Sequence, residues 1–122
     1  MTVRTSYRRG QRAETLAVWW LRLKGYRILV RRHVTGRGSG AGEIDIIARR
    51  GKVLAFVEVK ARPDEERALS AITLAQRKRL WRAAEGFLAR HPELAHLHSR
   101  FDALYILPGR WPRHLADAWR ES

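Results

Sequence analysis

Two apolar runs that meet at a turn constrain the fold of this chain more than any other part of its sequence. Residues 43–49 and 52–61 of the stretch GEIDIIARRGKVLAFVEVKA are rich in Ile, Val and Phe. The two runs are joined at Arg50 and Gly51. Strand-like runs separated by two residues that include Gly are typical of a β-hairpin. The sequence therefore predicts two antiparallel strands paired through a tight turn.

The predicted hairpin carries three acids and a lysine on one face. With a two-residue turn, Glu43 lies opposite Glu58 and Asp45 lies opposite Phe56. Residues directly opposite each other project from the same side of a sheet, so the acids share a face with Lys60. Asp45 and Glu58 are then diagonal neighbours with Cα atoms about 7–8 Å apart. This expectation depends on the register, because a one-residue slip would turn the two acids to opposite faces.

Carboxylates gathered on an apolar sheet need positive charge beside them. A buried carboxylate costs several kcal/mol unless it is paired, and repulsion between like charges raises at least one pKa. Lys60 neutralises only one such charge. Because the chain has no Cys, oxygen ligands for Mg²⁺ or Mn²⁺ are favoured over a Zn²⁺ site. The alternative is a structural network in which Glu58 pairs with Lys60 or with an Arg, and the spacing alone leaves both readings open.

The remaining pattern predicts an α/β protein in which helices flank a mixed sheet. A capping box at Thr73 and Gln76 marks the start of a long helix, and Gly25 ends an earlier one. Periodicity predicts helices over residues 11–24, 73–90 and 114–120, strands over 26–32 and 100–107, and loops over 33–42 and 61–70. At 122 residues, the chain is expected to form one domain spanning 1–122, with residues 1–10 as a flexible basic arm.

The charge balance favours a polyanionic partner. Lys and Arg total 25 against 12 Asp and Glu, which gives a formal net charge of +13. Such an excess indicates nucleic acid first and an anionic membrane surface second. No run is long and apolar enough for a transmembrane helix, and the N-terminal stretch lacks the apolar core of a signal peptide. We therefore expect an intracellular protein that, in a bacterium, is cytoplasmic.

The acids and the lysine also carry a resemblance to a known family. GEIDIIA followed by FVEVK resembles the signature of the PD-(D/E)xK phosphodiesterases, with Ile44 in place of the Pro. More specifically, the chain resembles the UPF0102 (YraN-like) family of small Holliday-junction-resolvase-like proteins. Further matching pieces are SAIT through QRKRL, RFDALYI and HLADAW. Gln76 departs from the family pattern, because a Lys is common at that position.

The resemblance implies a restriction-endonuclease-like fold and a metal-dependent endonuclease that acts on DNA, including branched recombination or repair intermediates. It implies a catalytic set of Glu14, Asp45, Glu58 and Lys60, in which the three acids hold Mg²⁺ or Mn²⁺. Taken alone, Glu14 reads as a solvated acid of a first helical turn. The role of Glu43 stays open between a structural acid, a ligand and a partner for an Arg.

The positive charge predicts contacts to a nucleic-acid backbone. The candidates for these contacts are Arg8, Arg9, Arg12, Arg37, Arg62, Arg77 and Arg79. Two other functions remain open: a nucleic-acid-binding module without turnover, and a structural or dimerising subunit with Trp19, Trp111 or Trp119 at an interface. A homodimer would also suit a resolvase, since a four-way junction has two equivalent strands to cut.

Overall fold

The computed structural model describes residues 3–34 and 42–120, with side chains from residue 11 onward except that of Val34. The helices are α1 (Val3–Leu23), α2 (Glu65–Leu69) and α3 (Leu74–Arg90), and a 3₁₀ turn covers Pro92–Leu94. The strands are β1 (Arg27–Val34), β2 (Glu43–Arg50), β3 (Val53–Ala61), β4 (His98–Ile106) and β5 (Arg113–Trp119). They form one sheet in the order β1-β2-β3-β4-β5, in which only β3 and β4 are parallel. The predicted mixed α/β class is confirmed, and this architecture is compatible with a restriction-endonuclease-like fold.

Both faces of the sheet are buried, each against a different helix. On one face, Ala17, Val18 and Leu21 of α1 belong to a core that includes Ile46 and Val57. On the other face, α3 contributes a second core. That core contains Leu80, Ala83, Ala84 and Phe87 together with Ile44, Ile47, Leu54, Phe56 and Phe101. The central strands are therefore covered on both faces, so reactive side chains that must reach solvent are expected at the ends of these strands.

The hairpin forms as predicted, but its turn lies one residue further along the chain. Arg50 pairs with Val53, so the turn residues are Gly51 and Lys52 rather than Arg50 and Gly51. Gly51 has a positive φ of 60°, a conformation that suits Gly in a tight turn. The turn moves by one residue in both strands, so the side chains of the paired residues 46–50 and 53–57 keep their predicted faces. Beyond the paired residues the alternation breaks, because Ile44 lies in the core on the α3 face whereas Ile46 lies in the core on the α1 face. The predicted pairs of Asp45 with Phe56 and of Glu43 with Glu58 are wrong, since Phe56 pairs with Ile47 and the pairing of β2 with β3 ends at Ile46 and Val57.

Three expectations about local structure are corrected. Helix α1 begins at Val3, so the backbone of most of the expected basic arm is helical. The expected loop at 61–70 contains α2, whose first turn is capped by the Asp64 carboxylate accepting from the Arg67 N–H at 2.9 Å. Residues 114–120 were predicted as a helix but lie largely in β5, because pairing with β4 outweighs their helical spacing. No helix in the described ranges is long and apolar enough to cross a membrane.

A fully buried acid, Asp102, ties β4 to β5. Its carboxylate accepts from Nε and Nη2 of Arg100 at 2.8 and 2.7 Å. It also accepts from His114 Nε2 at 2.7 Å and from the Asp117 N–H at 3.0 Å. Burial alone would raise the pKa of Asp102, but the hydrogen bonds from His114, Arg100 and Asp117 outweigh it and lower the pKa to about 2. The donors thus hold Asp102 as a carboxylate inside the sheet.

We expect Asp102→Asn to lower the free energy of unfolding by about 3–5 kcal/mol near pH 7, because it leaves the Arg100 charge inside the fold without its counter-ion. A lowered pKa means that the contribution of Asp102 is present above its ordinary value of 3.8 and is lost as the pH falls through about 2. Urea denaturation from about pH 7 to pH 2 measures both effects. Asp64→Asn is the control, since Asn can replace an exposed capping Asp; equal losses in the two variants would contradict this account.

Candidate functional site

A pocket of about 310 Å³ lies at the end of the sheet where β2 begins and β3 approaches its last residues. Its lining residues are Gly42, Glu43, Asp45, Glu58, Val59, Lys60, Gln76, Arg79 and Leu80. The structure thus brings Asp45, Glu58 and Lys60 together on one face, as the hairpin pattern predicts. Helix α3 supplies the opposite wall, and we refer to this cavity as the acid pocket.

Asp45 is fixed by the backbone of the neighbouring strand. The last backbone pair between β2 and β3 joins Ile46 to Val57. Beyond that pair, Asp45 Oδ2 accepts a hydrogen bond from the Val59 N–H at 2.8 Å. The carboxylate therefore takes the place of a backbone acceptor where the strands separate, and this opens the sheet into the acid pocket.

Glu58 is the most perturbed acid of the pocket. It is 4% exposed, and its Oε2 accepts from Gln76 Nε2 at 3.0 Å. Burial raises the pKa of Glu58 to about 10, helped by a hydrogen bond with Asp45 and by the Asp45 charge, while the Lys60 ammonium opposes the shift. The raised pKa favours the protonated form of Glu58 at neutral pH. Lys60 is the cation whose charge acts against this shift, and it does not cancel it.

The donor chemistry of this pair fits a hard divalent cation. Two neighbouring carboxylates can together bind Mg²⁺ or Mn²⁺, both of which prefer oxygen ligands. Mg²⁺ is commonly held by one or two carboxylates, with waters and substrate phosphates completing its shell. In the part of the chain that the structure describes, no group of three or more His, Cys, Asp or Glu side chains is placed to hold a metal ion. Asp45 and Glu58 are the pair of acids that could hold such an ion, and Glu43 also lines the pocket.

Glu14 lies outside the acid pocket. It is 6% exposed on α1, and its carboxylate accepts from Arg31 Nε at 3.3 Å and from Arg32 Nε at 2.8 Å. Consecutive strand residues normally point to opposite faces, but Arg32 has a positive φ of 56°. This backbone conformation lets both arginines reach one acid. The structure thus places Glu14 in an ion-pair cluster and not beside Asp45 and Glu58.

The candidate phosphate-binding arginines are distributed over several surfaces. Arg79 lines the acid pocket, whereas Arg12 and Arg62 line a second, apolar groove. Arg77 lies over the Trp119 ring at 5.8 Å and does not line the acid pocket. Arg37 lies outside the described residues, as do the side chains of Arg8 and Arg9. Among the members of this set whose side chains the structure describes, Arg79 is therefore the one that lines the acid pocket.

Gln76 lines the acid pocket, although the sequence pattern predicts it as part of a helix capping box. The predicted capping box forms only in part: the Thr73 hydroxyl accepts from the Gln76 N–H at 3.2 Å, as expected. The Gln76 side chain does not reach back to Thr73 but donates to Glu58. A buried carboxyl group needs a donor more than an exposed helix end does. The sequence did offer one signal. Gln76 lies one helical turn before Arg79 and Leu80, so all three side chains are expected on the same side of the helix, and all three line the acid pocket.

The three tryptophans considered for an interface differ in exposure. Trp19 and Trp111 are exposed, at 59% and 81%. Trp119 is 7% exposed and stacks on Phe101 with ring centroids 5.4 Å apart, so it belongs to the core. Its candidacy for an interface is therefore corrected, while Trp19 and Trp111 remain available at the surface.

The fold and the acid pocket together define a basic α/β protein in which a buried acid, Glu58, and a half-buried acid, Asp45, lie side by side at the end of the sheet. The chain belongs to the uncharacterised protein family UPF0102, whose model matches residues 13–106. It is 57% identical to the UPF0102 protein of Paramagnetospirillum magneticum over 113 residues, which are 93% of this chain and 88% of that relative. It is 56% identical to the UPF0102 protein of Parvibaculum lavamentivorans over 115 residues, which are 94% of this chain and 84% of the relative. The family resemblance is confirmed.

We expect Glu58→Gln to stabilise the protein increasingly as the pH rises between about 6 and 9 in EDTA. The folded pKa of about 10 lies above the ordinary value of 4.5, so the stability from protonated Glu58 is complete below pH 4.5 and is lost as the pH rises towards 10. Gln keeps a neutral donor and acceptor but does not ionise. The melting temperature of the variant should exceed that of the wild type by on the order of 5 °C at the alkaline end.

Glu85→Gln is the matched control, because Glu85 is an exposed acid on the same helix that contributes Gln76. Its melting temperature should follow that of the wild type across the pH range. Parallel curves for wild type and Glu58→Gln would show that Glu58 is ionised in the folded protein, against this description of the pocket.

Proposed function

We propose that this protein is a metal-dependent endonuclease that hydrolyses phosphodiester bonds in DNA, with branched recombination or repair intermediates as its substrates. The observation that carries the proposal is the convergence of Asp45 and Glu58 on one pocket, where burial raises the pKa of Glu58 and a divalent cation would supply the missing positive charge. The pair lies beside Lys60 in an open pocket of a protein with a net charge of +13. Burial of two acids without a structural counter-ion is costly, and such perturbed groups cluster at functional sites.

The chain's own residues divide the task between them. Asp45 and Glu58 hold Mg²⁺ or Mn²⁺, which when bound polarises a phosphate oxygen and lowers the pKa of a water molecule. Lys60 presents an ammonium group in the same pocket, where it stabilises the charge that develops on the phosphate or orients the attacking water. Gln76 holds Glu58 in place through its amide. Arg79 lies on the α3 wall, where its guanidinium can grip an adjacent phosphate.

The excess of arginine supports binding through the sugar–phosphate backbone. Such contacts release counterions, so affinity should fall steeply with salt. Contacts to the phosphates give the protein no direct information about the base sequence. The protein is therefore proposed to select substrates by their structure and not by their sequence.

We expect each bound Mn²⁺ to release close to one proton near pH 7, because Glu58, whose pKa is raised in the metal-free pocket, must ionise to bind the ion. Isothermal titration calorimetry in two buffers of different ionisation enthalpy measures this release directly. Asp45→Asn should abolish Mn²⁺ uptake. Glu66→Gln, which changes an exposed acid on α2, should titrate as the wild type does.

A second candidate function is a nucleic-acid-binding module without turnover. The observation that favours it is Glu14, whose pairing with Arg31 and Arg32 leaves two protein ligands in the acid pocket. That function requires salt-dependent DNA binding that is indifferent to Mn²⁺ and to Asp45→Asn. An absence of Mn²⁺ uptake together with tight DNA binding would therefore replace the endonuclease with this module.

We expect Lys60→Ala to reduce cleavage of a branched duplex by about 10²–10⁴-fold while Mn²⁺ uptake persists, since Lys60 acts on the phosphate or the water and not as a ligand. Single-turnover cleavage in Mg²⁺ with the protein in excess over DNA is the measurement. Lys52→Ala is the matched control, because Lys52 is exposed in the hairpin turn at the other end of β3. Cleavage by Lys60→Ala at the wild-type rate would exclude Lys60 from the reaction.

A further inference from the structure

A second concavity of about 950 Å³ runs along the outer side of α1, on the surface away from α3. Its walls are α1, the segment that follows β3, and the turn between β4 and β5. The apolar side chains that it exposes are Leu16, Trp19, Leu23 and Trp111. Among the described residues, four of the seven large exposed hydrophobic side chains thus lie in one groove. We refer to it as the tryptophan groove.

The two exposed tryptophans are presented differently from core aromatics. Trp111 is 81% exposed and is supported from one side by Trp20, with ring centroids 5.8 Å apart. Trp19 is 59% exposed and carries the Arg22 guanidinium 5.4 Å from its ring centroid. Leaving two indoles in water is unfavourable for a monomer, and exposed apolar patches mark binding surfaces. A supported but open indole offers a flat face on which another ring can stack.

The charges around the groove decide what kind of partner fits it. Arg12, Arg62 and Arg110 line it, and no Asp or Glu is among its described lining residues. Arg110 has one acidic neighbour, Glu65, at 4.0 Å on the surface. A second copy of this chain, with a net charge of +13, would bring arginines against arginines. Aromatic faces among cationic groups instead match a polyanion with exposed bases, which is single-stranded nucleic acid.

The tryptophan groove and the acid pocket meet at the end of one strand. Glu58 and Lys60 of β3 line the acid pocket, whereas Ala61 and Arg62, directly after them, line the groove. The Arg62 N–H donates to the Ile106 carbonyl at 3.2 Å, which holds this segment along β4. Because side chains alternate along a strand, Lys60 and Ala61 face opposite sides. A chain crossing the end of the sheet can therefore occupy both sites at once.

We propose that the tryptophan groove binds unpaired bases of the DNA whose backbone enters the acid pocket, with Trp19 and Trp111 as stacking platforms and Arg12 and Arg62 on the adjoining phosphates. This inference rests on the proposed function and narrows its substrate to DNA with a single-stranded segment next to the scissile bond. It places the unpaired strand on the α1 side and the reacting phosphate on the α3 side.

The test compares binding of a blunt duplex with binding of the same duplex carrying a short single-stranded tail. Fluorescence anisotropy in EDTA reports binding without turnover. The wild type should prefer the tailed duplex, and Trp111→Ala and Trp19→Ala should each weaken tailed binding about tenfold, or about 1.4 kcal/mol, within the range of base–aromatic stacking. Binding of the blunt duplex should change less than about twofold. Trp111→Phe should retain the tail preference, because it keeps an aromatic face.

Leu74→Ala is the control, since Leu74 is 63% exposed but lies on α3, outside the groove. It should bind both duplexes as the wild type does. Equal binding of the tailed duplex by wild type and both Trp variants would overturn the inference. So would sedimentation showing a wild-type dimer that the Trp variants dissociate without any change in tail binding, because the groove would then be a contact between copies.

Cleavage of a branched duplex in Mg²⁺, measured on the same proteins, separates this inference from the proposed function. Cleavage by the wild type with tail binding unaffected in the Trp variants rejects the groove alone. Loss of tail preference in the Trp variants, with no cleavage by the wild type, rejects the endonuclease while supporting the groove as a site for unpaired bases.

Discussion

The approach of half-buried Asp45 to buried Glu58, at the point where β2 and β3 separate, is the constraint on which the acid pocket depends. Asp45 is held by a backbone N–H of β3, and Glu58 is held by the Gln76 amide of α3. Neither donor carries a charge, so neither compensates the charge of a carboxylate. The pKa of Glu58 is therefore raised, and in the proposed endonuclease a divalent ion would supply the missing positive charge.

A comparison with Asp102 shows that this deficit is specific to the pocket. Asp102 is the more deeply buried acid, yet its pKa falls to about 2 whereas that of Glu58 rises to about 10. The difference lies in the partners, because Asp102 has a guanidinium, an imidazole and a backbone N–H, and Glu58 has a neutral amide and a second acid. One sheet thus contains a buried acid that has cationic partners in direct contact and one whose hydrogen-bond donor is neutral. Of these two acids, Glu58 is the one that lines the acid pocket.

The sequence predicted the parts of the site that depend on strand parity. Asp45, Glu58 and Lys60 share a face in any hairpin whose turn shifts both strands together, so a one-residue error in the turn left the prediction intact. The side-chain partners depend on tertiary distance, which no spacing encodes. Gln76 donates to Glu58, which lies 18 residues earlier in the sequence. Arg32 of β1 reaches Glu14 because its own backbone has a left-handed conformation. The helix expected at the C-terminal end became β5 for a similar reason, since β4 offers it a backbone partner that local periodicity cannot reveal.

Strand geometry also explains how one short segment can serve two surfaces. Successive residues of β3 alternate between the α3 side and the α1 side. Lys60 therefore places a charge in the acid pocket, whereas Ala61 adds an apolar contact to the tryptophan groove. Beyond Ala61 the chain leaves the sheet, and Arg62 is held at the rim between the two surfaces by its bond to Ile106. A polymer with a charged backbone and flat bases has the same division, with phosphates and bases on separate sides. In the proposed complex, the end of β3 therefore presents charge to the phosphates on the α3 side and apolar surface to the unpaired bases on the α1 side.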